Sequence, residues 1–217
     1  MADEQTNIPA QGGKPEPSGF RLVATLGVAG LVSGFCLVGA YLYTLPLIQA
    51  AKAKALEAAI YEVLPGCVRY DAYDLKSGAL VKAEGSASEL PRVFAGYDKQ
   101  GERIGFAIQS GVPGFQDIVA GIFGYVPETK TIVGLKILES KETPGLGDKI
   151  FKDEAFKGNF LKLEVEPEIV LVKKGEKANP NEVDAITGAT ISSRAVVSLL
   201  NAGMKDWKGT LDKEKKK

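Results

Sequence analysis

The sequence predicts an α+β protein: a single N-terminal transmembrane helix followed by an antiparallel-sheet domain with flanking helices. Three observations point there. Residues 22–45 carry no charged side chain. Short apolar runs between 67 and 138 are separated by turn-forming tetrapeptides rather than by helical stretches. Helix-patterned segments stand before and after those runs.

Residues 1–19 include Gly12, Gly13, Pro15 and Pro17 among polar neighbours and read as a disordered tail. The 24 uncharged residues that follow would cross a hydrocarbon core of roughly 30 Å at about 1.5 Å per residue, which puts the transmembrane helix at 20–45. A cleaved signal usually has an apolar run of only about 7–15 residues, so the segment reads as a retained anchor. Lys14 and Arg21 before it are matched by Lys52 and Lys54 after it, which leaves the orientation open under the positive-inside rule. Gly30 and Gly34 either admit a second helix closely or reflect the frequency of glycine in such helices.

Beyond Pro46, apolar Ile48, Leu56, Ile60 and Val63 keep near-helical spacing until Pro65 and Gly66, predicting a juxtamembrane helix over 46–66. Strands are expected at 67–73, 91–97, 103–109, 117–125 and 131–138. Asp98-Lys99-Gln100-Gly101 and Pro127-Glu128-Thr129-Lys130 are turn sequences, so neighbouring strands join as hairpins and the sheet is antiparallel. Residues 151–161 read as a short helix, 168–172 as another strand, 173–182 as a solvated, lysine-containing loop, and 191 to about 204 as a closing helix with Trp207 beyond it. The soluble domain is 67–217.

Composition narrows the chemistry. Twenty-seven basic residues balance 27 acidic ones, so no global positive field exists to hold nucleic acid. The chain has no histidine, which excludes a Ser-His-Asp triad, an imidazole base and a histidine-ligated metal. Cys36 and Cys67 are its 2 cysteines, too few for an iron–sulfur cluster, and no metal site is expected. Electrons passing through this chain need an added cofactor. The 25 glycines show no three-residue period and are read as loop residues.

Two motifs could carry chemistry. Asp184-Ala185-Ile186-Thr187-Gly188-Ala189-Thr190 leads into the closing helix, so Thr190 lies at or beside a helix N-cap. The free amides of such an end attract anions, and Gly188 and Ala189 would let a phosphate approach. Equally, Thr190, Ser192 or Ser193 could merely cap the helix and Gly188 merely turn the chain, with no ligand at all. About 45 residues upstream stands Glu142-Thr143-Pro144-Gly145-Leu146-Gly147, either a Pro-Gly turn or a backbone surface for a planar ligand.

Taken together on a singly anchored chain, these motifs resemble the flavin-carrying G subunits of Rnf electron-transport complexes (RnfG) and, more distantly, NqrC of sodium-pumping NADH:quinone reductases. The resemblance implies an FMN-binding domain outside the cytoplasmic (inner) membrane, with the tail in the cytoplasm. It implies one FMN joined through a phosphoester to Thr190 by a flavin transferase, with Thr187, Gly188 and Ala189 completing the recognised motif. Glu142, Thr143, Gly145 and Leu146 would lie against the flavin. Thr187 stands where many relatives carry serine, and the hydroxyl is kept. The implied role is electron relay among the other membrane subunits of a complex that exchanges electrons between ferredoxin and NAD and moves ions, with no independent catalytic residue. An NqrC-like or other anchored extracytoplasmic flavoprotein, and a flavin-free scaffold, are the alternatives. Partners would be those subunits, the transferase and lipid.

Overall fold

The computed structural model describes residues 18–76, 79–83 and 92–214. The expected tail therefore lies almost wholly outside the described residues. The chain divides into two compact units, Met1–Ala51 and Lys52–Lys217.

In the first unit the observed structure is helical, the N-terminal part of α1 (Gly19–Val63). This helix is long and apolar enough to cross a membrane, with Leu26, Leu31, Phe35 and Leu37 among its exposed side chains. Its two threonines return their hydroxyls to the helix, Thr25 to the Arg21 carbonyl at 2.7 Å and Thr44 to that of Ala40 at 2.9 Å. That leaves neither hydroxyl unsatisfied in an apolar medium. The expected transmembrane and juxtamembrane segments run on as one helix: α1 is continuous for 45 residues with Pro46 inside it. A proline deletes one helical hydrogen bond, and the Ala-, Leu- and Lys-rich sequence after it propagates the helix.

The second unit is built on a seven-stranded sheet. Its strands are β1 (Arg69–Lys76), β2 (Ala79–Lys82), β3 (Arg92–Tyr97), β4 (Arg103–Pro113), β5 (Ile118–Val126), β6 (Thr131–Glu139) and β7 (Leu163–Glu164). They lie in the order β2-β1-β3-β4-β5-β6-β7, every neighbouring pair antiparallel. The β3–β4 hairpin turns as its sequence suggested: the Asp98 carboxylate accepts the amides of Gln100 at 2.9 Å and Glu102 at 2.8 Å. Strands β2 and β7 were not foreseen.

Side-chain alternation sends the strands' residues to two cores. Phe94, Ala107 and Ile122 meet Ala59, Ile60, Val63 and Leu64 from the end of α1. Val93, Phe106, Ile108, Phe123 and Tyr125 face the opposite way, toward Val196, Leu199, Leu200, Met204 and Trp207 of α4 (Thr190–Leu211). Two features correct the sequence reading. Trp207 lies within α4, 1 % exposed, not beyond the last helix. The glycines are not only loop residues: a Cβ at Gly96 or Gly105 would press on the Leu64 side chain, and one at Gly124 or Gly134 on the Val63 backbone. These four strand positions form the bed on which the chain leaving α1 rests.

Between β6 and α4 come α2 (Lys149–Lys152), α3 (Glu154–Gly158), and β8 (Val170–Val172) paired in parallel with β9 (Glu182–Asp184). The single helix expected at 151–161 is thus two short ones, because Asp153 leaves the helical region (φ −83°, ψ 110°) to cap α3 through the amides of Ala155 and Phe156. Strand β9 begins at Glu182, inside the expected polar loop.

A charge cluster closes the C-terminal end of α4. Lys208 bridges Glu166 at 2.7 Å and Asp212 at 2.9 Å, and Lys130 reaches Glu166 at 2.8 Å. Hydrogen bonds first from Lys130 and then from Lys208 hold the Glu166 carboxyl down to about 2. A carboxyl whose folded pKa lies below its unfolded one contributes stability above the unfolded value and loses it as pH falls through the folded value. The melting temperature is therefore expected to fall between pH 5 and pH 2, and the fall to be shallower in Glu166→Gln, as thermal melts across that range would show.

Candidate functional site

Three segments converge near the N-terminus of α4. The first is Gly114–Asp117, where Gly114 N–H bonds the Asp117 carbonyl at 2.8 Å and closes the turn between β4 and β5. The second is the turn that begins at Glu142, in which the Thr143 carbonyl accepts the amides of Leu146 at 3.2 Å, Gly147 at 2.9 Å and Asp148 at 3.3 Å. Gly145 sits at φ +80°, a conformation that favours glycine. The third is Thr187 to Ser192, with Gly188 at φ +81° just before the helix.

The first turn of α4 is not tied down by Thr190. Ala189 is the N-cap and offers no side-chain cap. Ser193 does that work instead, its hydroxyl lying 3.1 Å from the Ile186 amide, which it accepts, and donating to the Ala189 carbonyl at 2.9 Å. Thr190 is exposed, and among the described residues its hydroxyl has no hydrogen-bond partner. Of the three hydroxyls open to the capping role in the sequence, that of Ser193 takes it.

A cleft of about 350 Å³ lies between these segments, with Glu142, Thr143, Leu146, Gly188, Ala189 and Thr190 in its wall. Phe115, Leu146 and Ile191 give it an apolar rim and are 62 %, 49 % and 54 % exposed. A second cleft of about 580 Å³ shares Gly188 and Thr190 and is lined by Thr187 and by Lys173, Lys174 and Arg194 against one carboxylate, Glu176, so that its charged lining is net cationic. None of those three cations is in an ion pair among the described residues. Thr190 thus opens on an apolar cleft and on a cationic one.

Asp184, first residue of the motif, accepts the amides of Gly175 at 2.9 Å and Lys177 at 3.3 Å and so fixes the lysine loop beside the second cleft. Hydrogen bonding from Lys152, then from the Gly145 amide, holds the Asp148 carboxyl below its ordinary range at the other end of the turn.

Most of the sequence-predicted residues come together here. Thr190, Gly188, Ala189, Glu142, Thr143 and Leu146 share the apolar cleft, Thr187 lines the cationic one, and Gly145 shapes the turn without lining either. Sequence reasoning missed Phe115, Ile191 and Ser192. The signal for Phe115 was an aromatic residue directly after Pro113-Gly114 in a hairpin turn.

Residues 114–205 match the FMN-binding domain family, a span that holds both motifs and the Phe115 turn. Over 184 residues the chain is 30 % identical to the G subunit of the ion-translocating oxidoreductase complex of Methanosarcina acetivorans, covering 85 % of this chain and 92 % of that protein. The chain belongs to the family of G subunits of these complexes. A second family member, the G subunit of the Na(+)-translocating ferredoxin:NAD(+) oxidoreductase complex of Acetobacterium woodii, is 32 % identical over 84 % of this chain and 88 % of its own length. The crystal structure of Shewanella oneidensis NqrC superposes with a TM-score of 0.63 at 19 % identity, covering 76 % of this chain and all 100 % of that one. The G-subunit family and NqrC thus share this fold.

The residues present fit an FMN. A flat, largely apolar ring suits a cleft rimmed by Phe115, Leu146 and Ile191, whose volume falls in the range of small-molecule sites. An anionic phosphate suits the free hydroxyl of Thr190 beside Arg194, Lys173 and Lys174. A third cleft, of about 950 Å³ along the C-terminal half of α4, is lined by Glu166, Glu168, Lys205, Lys208 and Asp212. Lys208 already joins Glu166 and Asp212 there.

Proposed function

We propose that this chain is the covalent FMN carrier of an Rnf-type ion-translocating ferredoxin:NAD oxidoreductase, relaying electrons between membrane partner subunits. The observation that carries the reading is the exposed hydroxyl of Thr190, without a hydrogen-bond partner among the described residues, at the junction of an apolar and a cationic cleft. A flavin transferase would join the FMN phosphate to that hydroxyl through a phosphoester, one FMN per chain. The isoalloxazine supplies the redox chemistry.

The chain's own residues hold and shield. Phe115, Leu146 and Ile191 would hold the ring and limit water around it, while Arg194, Lys173 and Lys174 would offset the phosphoester's charge. Thr187, Gly188 and Ala189 present Thr190, with no side chain at Gly188 to obstruct it. Tethering keeps the cofactor at high effective concentration whenever the open cleft lets it leave. No residue of the cleft is assigned a catalytic proton transfer.

The N-terminal part of α1 would anchor the carrier in the cytoplasmic membrane, with Lys52–Lys217 on the extracytoplasmic side. A cysteine placed at Lys99, in the exposed β3–β4 turn, tests this in a chain freed of Cys36 and Cys67. An impermeant thiol reagent is expected to label it in intact cells, and labelling only after lysis would reverse the orientation. Function is tested by purifying the full chain in detergent with its co-expressed neighbours. A yellow chain that bleaches with a low-potential reductant and recovers with the complex's acceptor supports the relay, and a colourless one made with active transferase opposes it.

A further inference from the structure

Glu142 is a glutamate 6 % exposed in the wall of a cleft, and its oxygens are turned to its own chain. Oε1 accepts the amide of Phe115 at 2.8 Å and that of Gln116 at 3.3 Å. Oε2 accepts the hydroxyl of Ser192 at 2.5 Å. Two glycines make room for it: a Cβ on Gly114 would stand 2.5 Å from Oε1, and one on Gly147 would stand 2.7 Å from the Ser192 hydroxyl and 2.9 Å from Oε2. One carboxylate thus joins the turn that carries Phe115, the turn that carries Leu146, and the helical turn that carries Thr190 two residues before Ser192. These are the three walls of the apolar cleft.

We propose that Glu142 is the positioning residue of the flavin site, setting the spacing between the attachment threonine and the Phe115 and Leu146 walls through its bonds to Phe115, Gln116 and Ser192. The inference rests on the reading of Thr190 as the flavin's attachment point, and it changes the role expected for Glu142. Its carboxylate holds the walls and is not itself offered to the ring. A buried acceptor left in place without its donors, or the reverse, loses the full benefit of such bonds. A wall displaced by about 1 Å is enough to spoil a fitted site. Gln116 supports the same joint, its side-chain amide donating to the Thr143 hydroxyl at 3.2 Å.

The variants separate position from charge. Glu142→Gln keeps a carbonyl oxygen for the two amides and an NH2 group for the Ser192 oxygen. Glu142→Ala cuts all three bonds, and Ser192→Ala cuts one. The full-length protein, co-expressed with a flavin transferase and purified in detergent, is read by intact mass and by the fluorescence anisotropy of its flavin. With one FMN attached to each variant, anisotropy is expected to stay at the wild-type level in Glu142→Gln. In Glu142→Ala it is expected to fall at least about two-fold, as the ring gains side-chain motion on the ps–ns scale, with Ser192→Ala in between. A ring held equally well in Glu142→Ala, or as loose in Glu142→Gln as in Glu142→Ala, overturns the proposal. If Glu142→Ala does not fold, Ser192→Ala decides, and unchanged anisotropy there overturns it.

Failure of the attachment reading is visible separately, as an unmodified wild-type mass. The joint is then read with added FMN on the Thr190→Ala protein. Glu142→Ala is expected to weaken that binding at least about tenfold, and equal binding, or no binding with Glu142 present, overturns it.

Discussion

Thr190→Ala is expected to abolish covalent flavin completely. The denatured wild-type chain, made with a flavin transferase, should fluoresce in a gel and carry the mass of one FMN less one water. The alanine variant should do neither while keeping its far-ultraviolet circular dichroism. The fold is expected to survive because the threonine hydroxyl has no partner among the described residues and the first turn of α4 is tied by Ser193. Thr187→Ala separates the two exposed threonines. Thr187 lines only the cationic cleft and belongs to the motif the transferase is expected to read, so that variant is expected to carry less flavin than the wild type, with whatever it carries still on Thr190. A fluorescent Thr190→Ala band, or loss in Thr187→Ala alone, would move the attachment point.

The second large effect is on stability. Trp207→Ala empties the space of the largest fully buried side chain, which packs in the core between α4 and the sheet. Removing a buried tryptophan costs about 3–5 kcal/mol, because the cavity adds to the lost transfer energy. For a unit of this size each kcal/mol shifts the melting temperature by about 2–4 °C, so thermal melts in detergent should show a fall on the order of 10 °C. Trp207→Phe keeps most of the volume and is expected to lose less than half as much. Melts of the three proteins at one pH check both, and an unchanged midpoint in Trp207→Ala would contradict the packing described.

Much of this architecture was legible because its signals are local. The central strands announced themselves by apolar runs bounded by turn residues, and Asp98 behaves in the β3–β4 hairpin as such a residue should. The start of α4 was legible too, but its length was not: the expected helix stopped at about 204, whereas Trp207 and Leu211 continue the helical spacing to its end at Leu211. What stayed hidden depends on partners far along the chain. Gly96, Gly105, Gly124 and Gly134 fall inside expected strands, but their purpose is not visible until Val63 and Leu64 are seen lying on them. Strands β7 and β9 have two or three residues each, too few to show a period.

The candidate site divides the same way. Its two motifs were visible as motifs, but nothing local says that they meet. The bonds that join Glu142 to Phe115, Gln116 and Ser192 span 26 to 50 residues. Nor could composition show that Thr190 would be left without a partner while Ser193 capped the turn.

The most direct test of the central claim is tandem mass spectrometry of the tryptic peptide 178–194 from the flavinylated full-length chain. This peptide contains Thr187, Thr190, Ser192 and Ser193, every hydroxyl residue of the motif and the helical turn after it. The covalent-carrier account predicts one FMN adduct, less one water, with fragment ions that place it on Thr190. An unmodified peptide from cells with active transferase, or an adduct on Thr187, Ser192 or Ser193, would contradict it.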